Sequence, residues 1–170
     1  PDLLTYLGRE QTGLLCFRGP NIFAGYLDES RLNQEVFDAE GWFQTGDLGR
    51  VDQAGYLFIE GRLSRFSKIG GEMVPHGKIE DKISKLFELG EIEQAQCVII
   101  GVTDPVKGEK LILFTEFEID PQSLRKKLIT SGMPNIWIPK ETIQLEKIPM
   151  LASGKVDFQM LKNLVEAKEL

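Results

Sequence analysis

The chain has 170 residues, of which 42% are apolar and 27% charged, and it carries a formal net charge of -6. That balance is globular rather than disordered, and the length suits one ordinary domain or two small ones. The acidic excess argues against duplex nucleic acid as the main partner, and no apolar run approaches the about 18 residues of a membrane span.

The opening Pro1-Asp2-Leu3-Leu4 has no Met and no signal-peptide pattern, so it reads as the start of a piece of something longer. Residues 1–61 read as short strands between Gly and Pro breaks. Gly13 to Gly19 and Gly55 to Gly61 are strand-like, and Glu29 to Phe37 forms a brief helix before the Asp38-Ala39-Glu40-Gly41 turn. So short a stretch cannot bury a generous core, and it is expected to belong to a larger β-rich domain. After residues 62–64 the pattern changes. Pro75 fits the first turn of a helix running to about Leu89 and stopping at Gly90, with Ile79, Ile83, Leu86 and Phe87 as its apolar stripe. Ala95 to Val102 reads as a buried strand. The Asp104-Pro105-Val106-Lys107-Gly108 break leads to a second strand, Lys110 to Phe117. Asp120-Pro121 begins a helix ending near Gly132, Thr142 to Glu146 is a third strand, and Asp157 caps a last helix through Leu161, Leu164 and Val165. The fold class is α+β: a small β-rich segment over 1–61, then a compact α+β domain over 65–170 with a three-stranded sheet and helices.

Three segments could carry chemistry. Lys155 closes Pro149-Met150-Leu151-Ala152-Ser153-Gly154-Lys155. Pro149 stands where a P-loop has its first glycine and Val156 where it has Ser or Thr, so a nucleotide-cradling loop is excluded. What remains is a lysine presented by a small-residue turn, either a point charge for a phosphate or carboxylate or a solvated loop residue. Lys68 lies in an alternating stretch that meets Gly70-Gly71, the pattern of a hairpin whose tip brings backbone close to a ligand. Arg62, Arg65 and Lys68 would concentrate positive charge there, unless the hairpin is an ordinary basic surface. Asp47 follows what reads as a tight Thr45-Gly46 turn. It suits hydrogen bonds to ribose hydroxyls, or simply caps the turn.

The remaining candidates are weaker. Cys16 and Cys97 lie apart in apolar runs with no CxxC pair, giving neither a zinc nor a redox motif and reading as buried thiols. His76, the single histidine, reads as a surface residue without chemistry. Lys78, Lys82 and Lys85 share one helix face and could dock an acidic partner, although Glu80, Asp81 and Glu88 are interleaved.

Taken together, the segments resemble the C-terminal signature of the adenylate-forming superfamily of acyl-CoA synthetases, luciferases and peptide-synthetase adenylation domains. Its Thr-Gly-Asp, its Gly-Arg fifteen residues on, its hinge and its late Gly-Lys match Asp47, Arg62, Ser64, Lys68, Gly71 and Lys155. The resemblance implies that Asp47 and Arg62 bind nucleotide, that Ser64 is the hinge and that 62–64 joins a large AMP-binding domain to a mobile lid. It implies that Lys155 serves adenylation, Lys68 serves thioester formation and Gly71 flanks a pantetheine channel. ATP and AMP would be bound with Mg2+ in the full-length enzyme, the Mg2+ not being held by this portion.

Arg65 to Val74, Lys107-Gly108-Glu109, Gly132-Met133-Pro134 and Ile148 to Phe158 further resemble the acyl-[acyl-carrier-protein] synthetase branch fused to a 2-acylglycerophosphoethanolamine acyltransferase. Ser64 at the hinge and Met73 after Glu72 depart from general acyl-CoA synthetases. That branch implies a fatty acid and acyl-carrier protein as partners, with CoA and a long-chain acyl-CoA synthetase as the alternative. It also implies a cytoplasmic location at the inner membrane face. A non-catalytic module retaining the fold is a further alternative. The isolated chain is expected to be inactive, because the family's phosphate loop and fatty-acid tunnel lie in the absent N-terminal domain.

Overall fold

The computed structural model describes residues 8–89 and 96–167. The readings at Pro1 to Leu4, Gly90 and Ala95 fall outside these. The chain forms two compact units, Pro1–Ser64 and Arg65–Leu170.

In the first unit, β1 (Gly13–Phe17), β2 (Phe43–Val51) and β3 (Leu57–Arg62) form an antiparallel sheet in that order, with α1 (Ser30–Val36) between β1 and β2. The outer strands and helix fall where the sequence places them. The middle strand does not, because the Thr45-Gly46 segment expected as a tight turn lies inside β2. Gly46, with φ 75°, sits in a bulge where the β1–β2 register steps from Leu14↔Leu48 to Cys16↔Gln44. Extra residues on β2 are accommodated there by a conformation that glycine adopts without strain. Among the described residues of this unit Leu48 is the one large apolar side chain that is buried, while Leu57, Phe58 and Ile59 of β3 are all exposed. The thin core anticipated from the length is therefore observed.

The second unit contains β4 (Phe66–Ile69), β5 (Glu72–Pro75), α2 (His76–Leu86), β6 (Cys97–Asp104), β7 (Gly108–Thr115), α3 (Pro121–Thr130), β8 (Glu141–Gln144) and α4 (Phe158–Glu166). Its sheet has five strands, not three. The order is β5-β4-β7-β6, and β8 runs parallel to β7. The difference arises because the Lys68 hairpin (β4 and β5) joins the sheet through Ile69↔Gly108 instead of standing apart.

The period-2 alternation of β6 and β7 builds a core on each side of this sheet. Ile99, Leu111 and Leu113 meet Ile79 and Ile83 of α2 and Leu124 and Leu128 of α3. Val98, Ile100, Ile112 and Phe114 meet Leu161 and Val165 of α4. Each such side chain contributes roughly 1.5–3 kcal/mol on burial, so this unit is the better stabilised of the two. Asp120 and Asp157 cap α3 and α4 as expected, accepting the Ser123 and Met160 amides at 2.7 and 2.9 Å. Pro75 is the extended N-cap of α2, not a first-turn residue. Leu164 is 38% exposed and lies off the buried line of α4.

Candidate active site

The first unit contributes Asp47 and Arg62. They are opposed across β2 and β3, and the Arg62 Nε–H donates to Asp47 Oδ1 at 2.8 Å. The bulge at Gly46 aims this carboxylate. Thr45 Oγ1 donates to the Leu15 carbonyl at 2.9 Å and accepts the Asp47 amide at 3.0 Å, so the backbone of Asp47 is tied to β1. Asp47 remains partly exposed and Arg62 largely so. Two residues after Arg62, Ser64 is exposed in the short 3-10 turn Leu63–Arg65 where the two units meet in sequence.

The second unit contributes Lys68, Gly71 and Lys155. Lys68 is exposed on β4, between the buried Ser67 and Ile69. The hairpin expected from Gly70-Gly71 is present, with Ile69 paired to Glu72 across a turn in which both glycines have positive φ, 57° and 91°. A Cβ at Gly71 would meet no atom within 4 Å, so the turn conformation, not crowding around that carbon, accounts for the glycine. Lys155 is exposed at the end of a second tight turn. The Leu151 amide donates to the Lys155 carbonyl at 2.7 Å, the Gly154 amide to the Leu151 carbonyl at 2.9 Å, and Met150 bridges Val156. The Asp157 amide donates to Pro149 O at 2.8 Å, so the turn runs directly into the cap of α4.

Arg65 does not add free charge to the Lys68 hairpin. Its guanidinium donates to both oxygens of Glu80 and to the Ile99 carbonyl, and it lies 4.5 Å from the centre of the Phe158 ring. Glu80 also accepts the Ile99 amide at 2.6 Å, so one ion pair joins the Leu63–Arg65 turn, α2 and β6 just past Ser64. Its interleaving with Lys78 and Lys82 gave it the appearance of a solvated helix face.

His76 is a second correction. It is buried, with Nε2 2.9 Å from Ser67 Oγ, and Nδ1 has no partner. Burial lowers its pKa to about 3, assisted by the positive charges of Arg65 and Lys162. It is a neutral core residue at physiological pH, and only tertiary packing reveals this. Cys97 is buried, its thiol pushed up to about 11 mainly by desolvation, while Cys16 is half-buried; both are free. Lys78 and Lys85 are exposed and Lys82 is half-buried. Among the described residues no group of three His, Cys, Asp or Glu could hold a metal, and no helix is long and apolar enough to cross a membrane.

No protein family model matches the chain. It is 32% identical over 150 residues to the medium-chain fatty-acid–CoA ligase of Escherichia coli, covering 85% of this chain and 26% of that protein. It is 32% identical over 152 residues to 2-succinylbenzoate–CoA ligase of Listeria monocytogenes, covering 88% and 31% respectively. The crystal structure of ATP-bound MatB from Rhodopseudomonas palustris matches with a TM-score of 0.72 and 27% identity, over 93% of this chain and 31% of that one. The sequence of this chain thus resembles part of much longer CoA ligases, and its fold part of a much longer chain. The chain belongs to the adenylate-forming superfamily. It spans less than a third of the length of these relatives.

Proposed function

We propose that this chain is the C-terminal portion of an ATP-dependent, AMP-forming acid–thiol ligase, comprising the end of the AMP-binding domain and the mobile lid. The carrying observation is that Lys68, on strand β4 of a hairpin, and Lys155, on a separate backbone-braced turn, both stand exposed on one unit that begins just past Ser64. Rotation about Ser64 would let one unit offer either lysine to a fixed nucleotide, a hinge transition.

In the first half-reaction a carboxylate attacks the α-phosphorus of ATP, pyrophosphate leaves and acyl-AMP forms. Lys155 offsets the charge where the two anions meet. Asp47 accepts hydrogen bonds from the ribose, and Arg62 holds the Asp47 carboxylate in place. In the second, a pantetheine thiol displaces AMP, with the Lys68 hairpin turned in and Gly71 flanking the thiol channel. CoA is the acceptor that the CoA-ligase relatives favour over the carrier protein implied by the tail residues. A carrier-protein acceptor, with 2-acylglycerophosphoethanolamine reacylation at the inner membrane face, is the second reading. Only the tail motifs and the exposed Lys78 and Lys85 favour it.

The test is Lys155→Ala in the complete enzyme. Pyrophosphate exchange should fall on the order of a hundredfold or more, while thioester formation from supplied acyl-AMP persists. Equal loss of both steps refutes the assignment. Running the transfer step with CoA and with holo-carrier protein decides the acceptor.

A further inference from the structure

The Lys68 hairpin is attached to the main sheet by a single residue pair, Ile69↔Gly108, although it carries two of the residues proposed for thioester formation. A strand so lightly paired leaves backbone donors without sheet partners, and each must find another acceptor or water. For the amide of Lys68 that acceptor is a side chain. Glu109 Oε2, forty-one residues along the chain, takes the Lys68 N–H. The next amide toward the turn, Gly70, donates to the Lys107 carbonyl at 3.0 Å. Glu109 lies at the start of β7 and Lys107 in the connection just before it, so the root of the Gly70-Gly71 turn is fixed from the β6–β7 corner.

Room for this arrangement is made at Gly101. A Cβ there would lie 1.9 Å from Ser67 Oγ and 3.0 Å from Glu109 Oε1. Gly101 thus lets the buried Ser67–His76 contact and the Glu109 carboxylate occupy the same small space. A carboxylate accepting an amide bonds more strongly than a neutral carbonyl does, and its removal leaves the donor unsatisfied.

We propose that Glu109 is a positioning residue for the thioester-forming half-reaction, holding the Lys68 backbone and hence the aim of the Lys68 side chain and the Gly70-Gly71 turn. This rests on the functional reading above. In the complete enzyme, Glu109→Ala should lower transfer from supplied acyl-AMP by about tenfold or more while pyrophosphate exchange stays near wild type. Glu109→Gln, whose amide oxygen can still accept the N–H, should recover most of that loss. In the 170-residue chain, the Lys68 amide of Glu109→Ala should exchange with solvent faster than in the parent. Unchanged transfer, a parallel fall in both half-reactions, or unchanged Lys68 exchange would overturn the proposal. Gly71→Asn serves as the control, since Asn tolerates a left-handed turn yet adds a side chain. If it blocks transfer selectively and Glu109→Ala does not, only the role of Glu109 fails. If Gly71→Asn spares transfer, the reading of the hairpin fails, and the role of Glu109 with it.

Discussion

Asp47 and Arg62 are cross-strand partners on β2 and β3, joined by a 2.8 Å hydrogen bond from Nε to Oδ1. Fifteen residues separate them in sequence, the distance needed to leave one strand, turn and return on the next. The spacing that first marked the two as a motif is therefore a register. The pair also stands at the end of the first unit, beside the turn that leads into the second.

Separating the structural from the chemical worth of that pair gives the first prediction. Exposed ion pairs contribute less than about 1 kcal/mol, so Asp47→Asn and Arg62→Ala should barely move the unfolding midpoint of the chain. In the complete enzyme both should lower pyrophosphate exchange by on the order of tenfold or more, since the transition state is then held by fewer hydrogen bonds to the ribose. A large drop in stability with normal exchange would make the pair a structural one.

His76 supplies a pH dependence. Its pKa is lowered to about 3 in the folded chain from an ordinary 6.5. Between these values the unfolded chain binds the proton and the folded chain does not, so stability rises with pH across that window. Acidification from about pH 6.5 towards pH 3 should progressively remove this contribution, with a slope of at most about 1.4 kcal/mol per pH unit for one group. Above pH 6.5 the contribution is fully present and flat. Urea midpoints for the parent and for His76→Gln, compared at pH 4 to 7, should show a shallower slope in the variant. Identical slopes would mean that His76 is solvated.

The Arg65–Glu80 contact should behave differently from the Asp47–Arg62 pair because both side chains are mostly buried, at 22% and 17% exposure. Glu80→Ala strands a guanidinium against Ile99 and Phe158 and should cost about 2–4 kcal/mol. Arg65→Lys keeps the charge but cannot reproduce the fork, and should cost about 1–2 kcal/mol. Equilibrium denaturation monitored by circular dichroism would measure both. A cost below about 0.5 kcal/mol for Glu80→Ala would show the ion pair to be no stronger than one at the surface.

How far the sequence reached can be judged from particular residues. Asp120 and Asp157 were legible as caps because capping is local, and Gly70-Gly71 because a two-residue turn needs positive φ in both residues. The apolar run of β6 was likewise legible as a buried strand, because it needs only neighbouring residues. Gly46 misled, since a glycine that bends a strand within a bulge looks in sequence like one that ends it. His76, Glu80 and Glu109 were opaque for a single reason. Their partners Ser67, Arg65 and the Lys68 amide lie nine, fifteen and forty-one residues away, beyond the reach of any capping or turn pattern. The three-stranded expectation failed on the same ground, because one residue pair, Ile69↔Gly108, decides whether the hairpin joins the sheet.

Gly101 is the most sensitive position in this arrangement. It is in β6, opposite Leu111, and its φ is ordinary, so alanine meets no backbone penalty there. The obstacle is space. The new Cβ would fall 1.9 Å from Ser67 Oγ, a short side chain fixed to His76 and unable to swing away cheaply. Gly101→Ala should therefore destabilise the chain by about 1–3 kcal/mol through overpacking. Ser67→Ala removes the oxygen but leaves its Cβ 3.2 Å from the new methyl, a separation that small shifts can relieve. The double variant should then be more stable than the sum of the two single effects requires, with a coupling of about 1 kcal/mol or more. Strict additivity in urea denaturation would show that Ser67 and Gly101 do not share the space assigned to them.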